Sequence, residues 1–175
     1  DLGAAHWAET IREVKQTNPD TTVEVLIPDF QGHRELVQQV IDAQPHIIAH
    51  NMETIRRLTP EVRSVARYDT SLSVLEQIAQ SGITCKTGIM VGLGETPQEV
   101  EELMDDLRAI GCQILTIGQY LQPSHRHYNV AEYVTPEQFK RYKELGLSKG
   151  FKQVESAPLV RSSYHAEQSL AFLKK

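Results

Sequence analysis

Lys86-Thr87-Gly88-Ile89-Met90-Val91-Gly92-Leu93-Gly94-Glu95-Thr96 is a strand-length run that ends in closely spaced glycines and passes straight into Thr96-Pro97-Gln98-Glu99, a helix start. A hydroxyl at the cap, proline at the first helical position and a glutamate three residues after the cap each meet the needs of a helix amino end, where four backbone amides lack partners. A buried strand that turns through glycine into a capped helix is half of a βαβ unit. The same order recurs on both sides of it.

Upstream, Ala4, Ala5, Ala8, Ile11 and Val14 repeat at helical spacing until Asn18-Pro19-Asp20 breaks the pattern, and Thr22 to Ile27 is a β-branched run closed by Pro28. The loop PDFQG follows. Leu36, Val37, Val40 and Ile41 share one helical face, Pro45 ends it, and HIIAHN from 46 to 51 reads as the next strand. Thr54 to Leu58 reads as a short helical piece, Ser71 to Gln80 as a full helix, and Ile83 to Val91 as the third strand. Downstream, the helix after Thr96 runs to Ile110, Ile114 to Tyr120 is a fourth strand, Thr135-Pro136 caps a helix reaching Ser148, and Phe151 to Glu155 is a shorter strand. Strands alternating with helices in this way form a parallel α/β sheet whose ligand sites lie at the carboxyl ends of the strands. No repeat, low-complexity tract or linker divides the chain, so residues 1–175 are expected to form one domain, with 156–175 as a carboxyl-terminal tail.

Composition narrows the function. With 175 residues and 40% apolar content the chain can bury one sizeable core. A net charge of -5 with scattered basic residues argues against nucleic acid. No apolar run approaches the roughly 20 residues that span a bilayer, so no membrane role is expected. Cys85 and Cys112 do not form a close metal-binding pair; both are expected to be reduced and buried, which suits a cytoplasmic protein.

Residue chemistry picks out four places. The glycines of 88 to 94 let backbone approach a ligand, or simply make a tight turn; their spacing departs from the dinucleotide fingerprint, and no P-loop lysine is present. In His50-Asn51-Met52-Glu53-Thr54, Asn51 can donate and accept and Glu53 can accept from paired hydroxyls, a set that suits a ribose; the same residues could also cap a helix. Gln119 and Tyr120 end the fourth strand. Arg161-Ser162-Ser163-Tyr164-His165 reads as a surface loop in which a neutral hydroxyl would be a poor metal ligand. His125 and His127 read as solvated imidazoles, and no nucleophile-elbow motif accompanies any histidine.

Taken in order, VEVLIPDFQG, HNMETIRRL, TGIMVGLGET, LTIGQYLQPS, YVTPEQF and PLVRSSYHA resemble the lipoyl synthase family of radical S-adenosylmethionine (SAM) enzymes over essentially the whole chain. The resemblance implies a partial parallel (β/α) barrel of the radical SAM type, incomplete on its amino-terminal side. It implies a sulfurtransferase of lipoate biosynthesis, which inserts two sulfur atoms into protein-bound octanoyl-lysine. SAM would be cleaved at one 4Fe-4S iron-sulfur cluster, and a second 4Fe-4S cluster would donate sulfur.

The residue roles implied are SAM contact for Asn51 and Glu53, the adenine for Gly92 and Gln119, and the SAM carboxylate for Ser71. Glu95 would fix the glycine loop, Asp1 to Ala4 would resemble the turn that receives the SAM amino group, and Ser163 would be a ligand of the auxiliary cluster. The implied partners are an octanoylated lipoyl carrier domain or a glycine-cleavage H-type protein, and an electron donor. That family carries six cluster cysteines and this chain has two, so the resemblance identifies the carboxyl-terminal two-thirds, on which clusters are not expected to assemble alone. Biotin-synthase-like sulfur insertion into a free small molecule and a non-catalytic partner-binding module are the competing readings.

Overall fold

The computed structural model describes residues 1–164. In chain order they form α1 (Ala4–Thr17), β1 (Glu24–Leu26), a 3-10 turn (Phe30–Gly32), α2 (Arg34–Asp42), β2 (Ile47–Ala49), α3 (Thr59–Val62), α4 (Tyr68–Gln80) and β3 (Thr84–Val91). Then come α5 (Pro97–Ala109), β4 (Ile114–Gln119), α6 (Pro136–Ser148) and β5 (Gln153–Ser156). The strands make one parallel sheet in the order β1-β2-β3-β4-β5. Each strand is laid beside its predecessor after a helical crossover, which is the way an arc of a (β/α) barrel grows. The α/β class and the partial-barrel arrangement expected from the sequence are both present.

Strand alternation separates two chemistries. Val25, Ile48, Cys85, Ile89, Leu115, Ile117 and Val154 join one apolar core with helix residues such as Ile11, Val40, Leu75, Ile78, Leu103 and Phe139. The alternate residues Glu24, Lys86, Gly88, Thr116, Gly118, Gln153 and Glu155 belong to the opposite, polar face. There Lys86, only 2% exposed, pairs with Glu24 of β1 at 2.6 Å. Leu26 at the free edge of β1 is 43% exposed.

Cys85 and Cys112 are free and buried, as expected. Contact with Cys112, reinforced by burial, holds the Cys85 thiol well above its ordinary pKa. A thiol kept protonated within the core is the opposite of a cluster ligand.

One element departs from the sequence expectation. Thr54 to Leu58 is not helical; the helix comes one turn later, at Thr59–Val62. Glu53 explains the delay, because its amide donates to Gly88 O at 3.0 Å and its carbonyl accepts from Met90 N at 2.8 Å, which ties this segment to β3. Helical geometry can begin only after that tether. Pro60 then falls in the first turn, where its missing N–H goes unnoticed.

The cap read at Thr96 is a reciprocal box: Thr96 Oγ1 accepts from Glu99 N at 3.2 Å and Glu99 Oε2 accepts from Thr96 N at 2.8 Å. Arg57 Nε adds a bond to Glu99 Oε1 at 2.6 Å. The Arg57 guanidinium, with help from the cap amide, depresses the Glu99 carboxyl to about 2. A carboxyl whose folded pKa lies below its unfolded value stabilises the fold above the unfolded pKa and loses that contribution as pH falls toward the folded one. Glu99→Gln should therefore cost about 1 kcal/mol at neutral pH, a modest figure because the pair is partly solvated. In urea titrations the gap between wild type and variant should close between about pH 4.5 and about 2. A gap independent of pH would contradict the assignment.

Candidate functional site

β2, β3 and β4 bring their carboxyl ends together around a cleft of about 190 Å³, roofed by Val160, Arg161 and Ser162 of the tail. Its floor is bare for a geometrical reason. A Cβ at Gly88 would stand 2.6 Å from Thr116 Oγ1 and 3.0 Å from Asn51 Oδ1, and one at Gly118 would stand 2.3 Å from Val160 O. Only glycine leaves room for both the tail and the cleft.

Asn51 sits just past β2 and faces two ways. Its Nδ2 donates to Ser162 Oγ at 3.0 Å. Its Oδ1 is buried and, among the described residues, accepts no hydrogen bond. A buried amide oxygen without a donor costs about 1–3 kcal/mol, so a ligand hydroxyl or amine is the natural partner. Glu53, held with φ 65 by its tether to β3, also lines the cleft. Left-handed backbone at a non-glycine residue is an uncommon conformation that clusters at functional sites.

A second chamber of about 340 Å³ adjoins the first and shares Asn51 and Glu53 with it. Asp29, His50 and Arg63 complete its polar lining. Arg63 was not singled out by the sequence, where it falls between the expected helical pieces at 54–58 and 71–80. In the fold its Nη1 donates to Ser71 Oγ at 2.9 Å and lies 3.4 Å from Met52 O. One cation and two carboxylates at one rim suit a zwitterionic amino-acid group.

The other residues named from sequence fall as follows. Ser71 is fully buried, with its hydroxyl between His50 Nε2 and Arg63 Nη1, each at 2.9 Å. Gly92, at φ 94, is not part of the cleft lining: a Cβ there would meet Gln119 Nε2 at 2.2 Å and Glu132 O at 2.5 Å. Its constraint comes from the segment that packs on it. Gln119 does line the cleft, yet its amide group is engaged by Tyr120 O, Glu132 O and Val134 N at 3.0, 3.0 and 2.9 Å.

Glu95 fixes the glycine loop, as read from the sequence, by accepting from Gly92 N at 2.6 Å and Leu93 N at 2.9 Å. Asp1 Oδ1 accepts from Gly3 N at 3.0 Å, so the first turn closes on itself. Ser163 is exposed in the turn where Tyr164 N donates to Arg161 O at 2.9 Å, and it is its neighbour Ser162 that reaches the cleft. His165 and Ala166 lie outside the described residues.

Among the described residues, no three His, Cys, Asp or Glu side chains gather in a way that could hold a metal ion. Neither cysteine offers a cluster thiolate. The donors present fit a nucleoside joined to an amino acid, and they do not fit an iron-sulfur cluster. No helix among the described residues is long and apolar enough to cross a membrane.

Residues 2–107 match the radical SAM superfamily. The chain is 72% identical over its whole length to a lipoyl synthase of Bacteroides fragilis, of which it covers 61%. It is 63% identical over 168 residues, or 96% of the chain, to a lipoyl synthase of Treponema denticola, of which it covers 58%. The chain thus spans about 60% of the length of the curated relatives it matches. Among solved structures it superposes on methylornithine synthase with a TM-score of 0.60 and 13% identity, covering 87% of this chain and 52% of that one, a likeness of fold.

Gly88→Ala tests the cleft. The added methyl would occupy the space beside Asn51 and Thr116, so ligand affinity should fall by at least about tenfold. Thermal unfolding should move by only a few degrees. Unaltered affinity in a folded variant would show that no ligand uses this floor.

Proposed function

Because the chain belongs to the radical SAM superfamily, we propose that its two joined chambers bind SAM, and that the complete protein is a lipoyl synthase that inserts sulfur into octanoyl-lysine on a lipoyl carrier protein. The observation that carries the reading is the buried, partnerless Oδ1 of Asn51 at the junction of the two chambers.

In the complete protein, SAM held at a 4Fe-4S cluster whose ligands these residues do not supply would provide the hydrogen-atom abstraction that opens an unactivated carbon chain to sulfur. This chain's residues bind and orient it. Asn51 Oδ1 accepts from a ribose hydroxyl, and the Glu53 carboxylate accepts from the same pair. The bare backbone at Gly88 and Gly118 admits a flat base against Met90, whose apolar side chain shields that base from water. Arg63 faces the SAM carboxylate as a charge-assisted donor. Gly92 and Gln119 act one step back: together with Glu95 they hold the segment from Ala131 to Val134 behind the cleft.

Ser163 is the candidate iron ligand at the auxiliary cluster, a role that rests on the resemblance of RSSYHA. Its exposed hydroxyl, adjacent to the Ser162 contact with Asn51, leaves it available. Both cluster cysteine sets would have to come from outside this chain, since Cys85 and Cys112 are locked in the core. An octanoylated lipoyl domain or an H-type protein would be the substrate, and a low-potential electron donor would complete the system.

The full-length protein, reconstituted with iron and sulfide, should convert an octanoyl-lysine peptide into its lipoyl form with release of deoxyadenosine. Asn51→Ala should weaken SAM binding by about tenfold, the worth of one good hydrogen bond to a buried acceptor. Sulfur insertion into a free acid would favour the biotin-synthase-like reading. SAM binding absent from a cluster-loaded protein would leave only the partner-binding module.

A further inference from the structure

Beneath the second chamber, three side chains form a chain of hydrogen bonds with a fixed direction. His50 is buried, and its Nδ1 lies 2.9 Å from Ile27 O. A carbonyl can only accept, so Nδ1 carries the hydrogen. Burial, aided by the charge of Arg63 and opposed by the Ile27 bond and Asp29, pushes the ring's pKa below its ordinary value. The imidazole is therefore neutral, with a bare lone pair on Nε2.

Ser71 Oγ lies 2.9 Å from that nitrogen and must give it its proton. The serine oxygen is then left with lone pairs only, and one of them accepts from Arg63 Nη1 at 2.9 Å. With its hydroxyl proton fixed on His50, Ser71 cannot turn a hydrogen toward the guanidinium.

We infer that His50 is a positioning residue which, through Ser71, sets the guanidinium of Arg63 at the chamber rim to receive the carboxylate of the amino-acid end of SAM. The inference rests on the SAM reading above and adds to it the source of Arg63's orientation. Ser71, placed by resemblance opposite the carboxylate itself, acts at one remove. Without the relay, Arg63 keeps its charge but loses its preferred direction, since a long arginine side chain has many rotamers and, among the described residues, only the weak 3.4 Å contact to Met52 O remains.

A chain that merely satisfied buried polar groups would support the whole site equally; a positioning chain affects only the part of the ligand that Arg63 touches. Methylthioadenosine, which has the nucleoside but no amino acid, separates the two. Calorimetric titration of the full-length protein with SAM and with methylthioadenosine would compare wild type, His50→Phe, Ser71→Ala, the double variant and Arg63→Met.

Each relay variant should weaken SAM by about fivefold and the double variant no further, while Arg63→Met weakens it by about tenfold. Methylthioadenosine affinity should stay within about twofold throughout. His50→Gln, whose amide oxygen can still accept from Ser71, should recover part of the loss. Equal weakening of both ligands by His50→Phe and Ser71→Ala, or additive losses in the double variant, would overturn the positioning role. A wild-type protein that bound methylthioadenosine but showed no preference for SAM would overturn the carboxylate contact. One that bound neither ligand would overturn the nucleoside reading and this inference with it.

Discussion

The site depends on an exclusion: a side chain at Gly88 or Gly118 would have to displace the groups that surround the cleft. A Cβ at Gly88 would meet Thr116 and Asn51, and one at Gly118 would meet the Val160 carbonyl, so these two β-carbons are absent from the floor where β3 and β4 run side by side. Around that gap the chain brings Asn51 from β2, Glu53 from the tether to β3 and Ser162 from the tail. Glycine in a strand interior weakens the strand. The structure offsets this with a long central β3, paired on both sides and buried along most of its length.

Outside the cleft, polar groups are arranged to keep the bare floor in place. Glu95 closes the loop after β3 with two backbone bonds, and Gln119 pins the segment that crosses behind Gly92 with two more, to Glu132 O and Val134 N. The His50, Ser71 and Arg63 chain does the same for the second chamber. These groups are nearly all satisfied. Asn51 Oδ1 is the exception at the centre of the site, and an unsatisfied acceptor amid satisfied neighbours marks where a ligand belongs.

Much of this was legible in the sequence where the determinant was local. The strand that ends at Val91, the Thr96 and Thr135 caps and the five parallel strands all follow from patterns spanning a few residues, and each lies within a few residues of its expected place. The errors arose where distance along the chain mattered. Thr54 to Leu58 has helical spacing, but the tether between Glu53 and β3 overrides it. Ser162 meets Asn51 across 111 positions, a contact that no local signal announces. Arg63 gains its place only once His50 and Ser71 are folded beside it. Gly92 illustrates the converse: its positive φ follows from a glycine-rich turn, while the neighbours that forbid a side chain, Gln119 and Glu132, lie far along the chain.

Amide NMR of the full-length protein, with asparagine and glycine labelled with nitrogen-15 and methylthioadenosine added, tests the central claim most directly. The account predicts that the Asn51 side-chain NH₂ signals and the backbone amides of Gly88 and Gly118 shift together and saturate at one ligand concentration. Signals of these three residues that stay fixed while the ligand perturbs another surface would contradict it.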